Sequence, residues 1–288
     1  MPELPEVEVL RQSLARRLPG RRVDRVVVRS PALREPLARA TLERLLEGKR
    51  VCALRRRAKY LLIDLDRRGE HGAGGEHRAE HAVTLVVHLG MSGRLTRVAA
   101  STPVARHEHL ALFLDDGSRL RLVDARRFGL AFALDTRDLA ADRHFAHLGF
   151  EPLDATFDGE LLRARVGRRR GAVKGFLMDA GVVVGVGNIY ASEALWRAQV
   201  HPRRSVARIA AATWQRIAGA LRCTLRQAIA EGGTTLADFA DGDGKAGYFQ
   251  VSLAVYGRAG APCLRCAATI RRIVQSNRSS FYCPACQH

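Results

Sequence analysis

The chain is poor in lysine. Of 47 basic residues only Lys49, Lys59, Lys174 and Lys245 are lysines, a bias expected where a GC-rich genome writes Arg for Lys. Each remaining Lys therefore stands out, because Lys can titrate and react where Arg cannot. Acidic residues are also scarce, 29 against 47 basic ones, so the formal net charge is +18 and the pI about 10.9. That balance points away from basic partners and towards a polyanion, usually nucleic acid. No apolar run approaches the roughly 18 residues of a membrane span, so an integral membrane protein is excluded. MPELPEVEVL at the start has three glutamates and neither the basic nor the apolar part of a signal peptide, so a cytoplasmic protein is expected. The 288 residues, 47% apolar and 26% charged, suit one large or two medium globular domains.

Cysteine is sparse but patterned. Cys52 and Cys223 are isolated, and buried thiols are expected there. Cys263, Cys266, Cys283 and Cys286 form two C-x-x-C pairs separated by 16 residues, the spacing of a zinc ribbon. Two such turns supply four thiolates for a tetrahedral site, which is closed and therefore structural: one Zn²⁺ is expected, holding the tail folded. Disulfides are the alternative, disfavoured by the cytoplasmic expectation.

The apolar pattern divides the chain. Residues 5–18 read as a helix with Val7, Leu10, Leu14 and Leu18 on one face, Pro5 in its first turn and Pro19-Gly20 at its end. From about 22 to 135 the signal is mostly strand, and no helix is read between the strands. VTLVVHL (83–89) is a continuous buried run, and LALFL (110–114) and RLRLV (119–123) flank a hairpin turn at Asp115-Asp116-Gly117-Ser118. An antiparallel sandwich or barrel follows. RRGEHGAGGEHRAEH (67–81) reads as a solvated, mobile loop, since its histidines match no metal-site spacing. After about 150 the period becomes helical; Trp214, Ile217, Leu221, Leu225 and Ile229 mark a long helix closed by Gly232-Gly233.

The chain start carries chemistry. Met1 is expected to be removed before the small Pro2, leaving a secondary amine beside Glu3 and Glu6. An α-amine titrates near roughly 8, so part of it is nucleophilic at cell pH and can form iminium adducts. A plain helix start, with Pro and Glu in the first turn, is the competing reading.

MPELPEVE closely resembles the formamidopyrimidine-DNA glycosylases, bacterial base-excision enzymes that remove oxidised purines such as 8-oxoguanine. The resemblance continues in order along nearly the whole chain. RRRAKYLL (55–62) resembles the family's catalytic-lysine strand, and HLGMSG (88–93) and DARRFG (124–129) its duplex-probing loops. GVGNIYASEALW (185–196), followed by His201-Pro202, resembles its helix–two-turn–helix motif, and GGTTLADF (232–239) its lesion-capping loop. VYGRAGAPCLRC (255–266) and QSNRSSFYCPAC (275–286) resemble its zinc finger.

The resemblance implies an α+β chain. An N-terminal antiparallel β-sandwich with a leading helix (1–135) is followed by a helical domain with the helix–two-turn–helix motif (150–250) and a β-hairpin Cys₄ zinc finger (251–288). It implies a glycosylase that is also an AP lyase, acting on double-stranded DNA with oxidised bases or abasic sites, as a monomer associated with the nucleoid. Pro2 would attack C1′ of a flipped nucleotide, a carbon unreachable inside the stack. Glu3 would donate the proton that opens the sugar, Glu6 would support the amine, and Lys59 takes the second catalytic position. A carboxyl group holds a proton near neutral pH only where burial or a like charge raises its pKa, and Lys59 follows three arginines that would lower its own.

Met91, Arg126 and Phe128 match the void-filling side chains: two apolar wedges and a planar donor for the orphaned base. His107, Arg169, Lys174, Asn188 and Arg278 match phosphate contacts, Arg278 also a proposed proton donor in the second elimination, and Tyr248 and Tyr256 are read as pocket-lining. The chain departs from the family at Ala125, often Pro, which predicts a looser loop. It departs also at Ala237, often basic, and at Ala180-Gly181, usually polar. Two alternatives remain open: the sister branch that excises oxidised pyrimidines, and a zinc-finger DNA-binding protein without catalysis.

Overall fold

The structure, a computed structural model, describes residues 2–30, 32–66, 83–233 and 253–288. Contacts divide the chain into two compact units. One holds Pro2 and Glu6–Ala146; the other holds Glu3–Pro5 and the described residues from His147 onward. The helical and zinc segments, separate in the sequence reading, thus share a unit, and Glu3–Pro5 belongs with them. The 67–81 loop, Tyr248, Ala237 and most of the 232–239 segment lie outside the described residues.

The first unit is the expected sandwich. Its elements are α1 (Leu4–Ala15), β1 (Val23–Val28), α2 (Arg39–Leu46), β2 (Val51–Arg57), β3 (Tyr60–Leu65), β4 (Val83–His88), β5 (Arg94–Ala99), β6 (Glu108–Leu114), β7 (Ser118–Val123) and β8 (Leu130–Asp135). Two antiparallel sheets form, ordered β1-β6-β7-β5 and β2-β3-β4-β8. One apolar cluster joins them: Leu110, Leu112 and Leu122 from the first, Leu61, Ile63 and Leu85 from the second. Val7, Leu10, Leu14 and Leu18, the predicted helix face, seal it, although the helix proper ends at Ala15. β4 lies between β3 and β8, and five of its six residues are buried.

The helix α2 contradicts the expectation of strands alone between 22 and 135. Its signal is short: Leu42 and Leu46, four apart, both enter the core. Glu47, just beyond it, accepts the Val26 N–H at 2.8 Å, which occupies a donor on the edge strand β1.

The second unit contains α3 (Gly159–Ala164), α4 (Val173–Leu177), α5 (Asn188–Arg197), α6 (Ala211–Ala230) and the hairpin β9 (Arg271–Gln275) and β10 (Arg278–Tyr282). α6 is the predicted long helix, with Trp214, Ile217, Leu221 and Leu225 buried. Cys223 lies on its opposite side and is exposed, and Cys52 is only half-buried, so neither is the enclosed thiol expected. Arg197 donates to Cys223 Sγ at 2.7 Å, a polar contact that an apolar core would not offer. Ser276 and Asn277 turn the β9–β10 hairpin with φ of 47° and 58°, the left-handed pair of a tight two-residue loop.

Candidate active site and nucleic-acid interface

In the first unit, Pro2 and Glu6 are buried at the start of α1. Lys59 sits in the tight turn between β2 and β3, after Ala58 at φ 55°, rather than within a strand. Two of the arginines before it are committed elsewhere. Arg55 donates twice to Asp64, at 2.6 and 2.8 Å, and Arg56 donates to Glu8 at 3.2 Å. The Lys59 charge is felt by His88, whose ring lies 5.0 Å from that of Tyr60. Burial first, then the charges of Lys59, Arg34 and His144, push the His88 imidazole down to about 4. It is therefore neutral at pH 7, and its Nδ1 accepts the Gly90 N–H at 3.0 Å.

His88 leads into the turn that carries Met91. Met91 and, on the turn after β7, Phe128 are 38% and 47% exposed, unusual for large apolar side chains. The Arg126 guanidinium lies 5.1 Å from the Phe128 ring centroid. The two turns touch: a Cβ on Gly90, at φ +61°, would fall 2.3 Å from the Phe128 carbonyl carbon, so only Gly fits. His107, half-buried at φ 64°, accepts the Asp124 N–H through its carbonyl at 3.0 Å.

In the second unit, Glu3 is 3% exposed and sits at the start of α5. Its carboxylate accepts the N–H groups of Gly187 at 2.6 Å and Ile189 at 3.0 Å. A Cβ on Gly187 would lie 2.4 Å from that carboxylate, so glycine is required for the approach. Donors at a helix start stabilise negative charge, so in this arrangement Glu3 caps α5 as a carboxylate.

Lys174 is 2% exposed. Its ammonium donates to Asn188 Oδ1 at 2.6 Å, the Ser279 carbonyl at 3.0 Å and Ser280 Oγ at 2.8 Å, joining α4 to α5 and β10. Burial is the main influence on it; Glu3 opposes and Arg278 assists, and the result is a pKa lowered to about 8. Asn188 Nδ2 reaches the Tyr256 hydroxyl at 3.4 Å. Arg278 is exposed on the first residue of β10. With Arg169, Lys174 and Gln275 it lines a cavity of about 550 Å³. Arg169 donates to the Arg165 carbonyl and lies 3.8 Å from Asp179.

Sγ atoms of Cys263, Cys266, Cys283 and Cys286 lie within 4.8 Å of one another. Cys263–Cys286 is 4.0 Å and Cys266–Cys283 is 3.4 Å, near the roughly 3.8 Å edge of a tetrahedron with Zn–S bonds of about 2.3 Å. Burial raises the Cys263 thiol, but the Arg265 N–H, the Trp196 indole and its other hydrogen bonds outweigh it and bring it to about 6. Burial and neighbouring thiols push Cys286 up to about 12. Four such thiolates coexist only around a cation, and the set fits one structural zinc.

The finger is fastened to α5. Glu193 accepts the N–H groups of Ala254, Val255 and Tyr256 at 2.8–3.0 Å, and Trp196 Nε1 donates to Cys263 Sγ at 3.4 Å. Neither residue, nor His88, Ser92 or Asp124, stood out in the sequence as a site residue, although all five lie within the quoted motifs. Their only signal was a polar residue within a motif; what each one binds depends on the fold.

The chain is similar to known proteins throughout its length. Residues 1–131 match the profile of the formamidopyrimidine-DNA glycosylase N-terminal domain, 148–240 its H2TH domain, and 260–288 a zinc finger found in FPG and IleRS. A formamidopyrimidine-DNA glycosylase of Dechloromonas aromatica is 46% identical over 290 residues, covering 100% of both chains. A Lactococcus lactis FPG mutant in complex with Fapy-dG containing DNA superposes with a TM-score of 0.87, at 28% identity and 100% coverage of both. The Lactococcus lactis Fpg with abasic site containing DNA also gives 0.87, at 28% identity and 99% coverage of both.

Proposed function

The chain belongs to the formamidopyrimidine-DNA glycosylase family, and from that membership we propose that it is a base-excision repair enzyme that removes oxidised purines from duplex DNA and then nicks the strand. The observation that carries the reading is the chain start. Pro2 is buried beside Glu3, which is held on the first N–H groups of α5, in a chain alike over its full length to a known glycosylase.

With Met1 removed, the Pro2 amine attacks C1′ of the extruded nucleotide. The glycosidic bond breaks and its electron pair leaves with the base, which gains a proton. The sugar ring opens as O4′ takes a proton, the role assigned to Glu3, and an iminium forms between Pro2 and C1′. The iminium acidifies the C2′ proton; its loss expels the 3′ phosphate, and a second elimination expels the 5′ phosphate. Glu6 supports the amine, and Lys59 takes the second catalytic position.

Met91, Arg126 and Phe128 fill the space that the base vacates. His107, Arg169, Asn188 and Arg278 hold phosphates; for Arg278 the phosphate role is preferred to proton donation, since Arg does not readily release a proton. The zinc finger holds the β9–β10 hairpin in place. The enzyme acts as a monomer in the cytoplasm, at the nucleoid. Among the described residues no helix is long and apolar enough to cross a membrane.

Borohydride trapping tests the reading. Processed protein is incubated with duplex DNA containing 8-oxoguanine opposite cytosine, reduced, and run on a denaturing gel. A covalent adduct at Pro2 is expected. An adduct only with an oxidised pyrimidine would move the protein to the sister branch. No adduct with either lesion, despite tight binding, would leave a zinc-stabilised DNA-binding protein.

A further inference from the structure

Residues 125–128, which include Arg126 and Phe128, are exposed, yet both neighbours of this turn, Asp124 and Gly129, are buried. Asp124 is fully enclosed, and its carboxylate spans the turn. Oδ2 accepts the Gly129 N–H at 2.7 Å, and Oδ1 accepts the Arg126 N–H at 3.2 Å. The same Oδ1 accepts the Ser92 hydroxyl at 2.6 Å, and Ser92 follows Met91 on the other turn. Ser92 Oγ in turn accepts the Arg126 N–H at 3.2 Å. The backbone of Asp124 is held as well, its carbonyl 2.8 Å from His109 Nε2 and its N–H on the His107 carbonyl.

These bonds have a cost and an effect. An enclosed carboxylate needs donors for its lone pairs, and here the donors come from both exposed turns. The backbone of the turn is otherwise unfavourable at Arg127, a non-glycine residue at φ 57°. Ala125 leaves φ free where a proline would fix it, and the carboxylate clamp supplies the rigidity instead.

We propose that Asp124, with Ser92, is a positioning residue that locks the Met91 turn to the Arg126–Phe128 turn, so that the three side chains enter the duplex as one preset wedge. This rests on the proposed function above. Its consequence is specific: the pair matters where a base must be extruded and its partner read, and not where the sugar is already accessible.

The test compares duplex DNA with single-stranded abasic DNA, which has neither a stack to fill nor an opposite base. Asp124→Asn keeps the shape but replaces an acceptor by a donor; Ser92→Ala removes one bond and leaves the core intact. Excision of 8-oxoguanine from duplex is expected to fall by at least about tenfold in Asp124→Asn and by a few-fold in Ser92→Ala, since small misplacements of reacting groups are costly. Discrimination between cytosine and adenine opposite the lesion should shrink in both. Borohydride trapping on single-stranded abasic DNA should stay within about twofold of wild type. Equal losses on both substrates, or duplex excision and discrimination unchanged in both variants, would overturn the proposal. Wild-type protein inactive on both substrates would sink the functional reading, and this inference with it.

Discussion

Two sites, one in each unit, invert the usual rule of burial in opposite ways. The sandwich unit exposes apolar side chains, Met91 and Phe128, on turns whose backbones are tied down by a buried carboxylate. The helical and zinc unit buries charges, Lys174 and Glu3, and satisfies each with hydrogen bonds. Exposed apolar groups gain nothing from folding and mark a surface awaiting a partner. Buried charges are costly unless paired, and mark a scaffold whose geometry is fixed in advance. The difference separates two tasks for a DNA enzyme: the wedge is displayed, while the groups that shape the second unit's surface are locked.

The largest effect is expected from the proposed nucleophile, which belongs to neither pattern. Pro2→Gly, or retention of Met1, should lower Schiff-base trapping by about 10³-fold or more while duplex binding stays near wild type. Full trapping with Met1 retained would refute the assignment. Next comes the zinc unit. Cys283→Ala should lose zinc, measured by metal analysis, because binding a structural zinc contributes on the order of 10 kcal/mol to folding such a finger. Ser279 and Ser280 of β10 receive the Lys174 ammonium, so losing the finger also strips a buried charge of two acceptors. DNA affinity should therefore fall with the metal; zinc-free protein that still binds duplex tightly would break the link between finger and scaffold.

Local patterns were legible in the sequence, and long-range pairings were not. The β6–β7 hairpin follows from its turn residues and the α6 face from its period. The four cysteines follow from spacing alone. α2 was hidden because eight residues hold only one pair of core leucines, too little for a period to emerge. Cys223 was misjudged because residue type was used where helix phase decides. Glu3 meets its donors 184 and 186 residues away, and Lys174 meets Ser280 across 106, so no local window could reveal either. Lys174 was read as a phosphate contact; in the structure its donors are already committed to protein acceptors.

Lys174→Met sharpens this side of the comparison. It retains much of the buried stem and leaves Asn188 Oδ1, the Ser279 carbonyl and Ser280 Oγ without that donor, at roughly 1–3 kcal/mol for each group left unsatisfied. A lower melting temperature and about tenfold weaker DNA binding are expected. The lysine also makes a pH signature. Below about 8 it is protonated in both folded and unfolded chains. Between about 8 and its ordinary 10.5 the folded protein has released a proton that the unfolded chain keeps, so its contribution to stability rises with pH. The difference in melting temperature between wild type and variant should grow across that window; a constant difference would mean that Lys174 does not titrate there.

The smallest effect lies on the displayed side. His88 is held neutral down to about 4, while the unfolded chain protonates near the ordinary 6.5. The folded state therefore binds fewer protons between these values, and stability falls as pH drops through them, by up to about 3 kcal/mol at pH 4. Protonation would also remove the Nδ1 lone pair that accepts the Gly90 N–H and holds the Met91 turn. His88→Asn places an oxygen acceptor near the same position and does not titrate. Relative to wild type, this variant should lose less stability between pH 6.5 and 4, and its excision activity should decline less on the acid side. Parallel pH profiles for the two proteins would assign the acid sensitivity to other groups and leave the Met91 turn independent of His88.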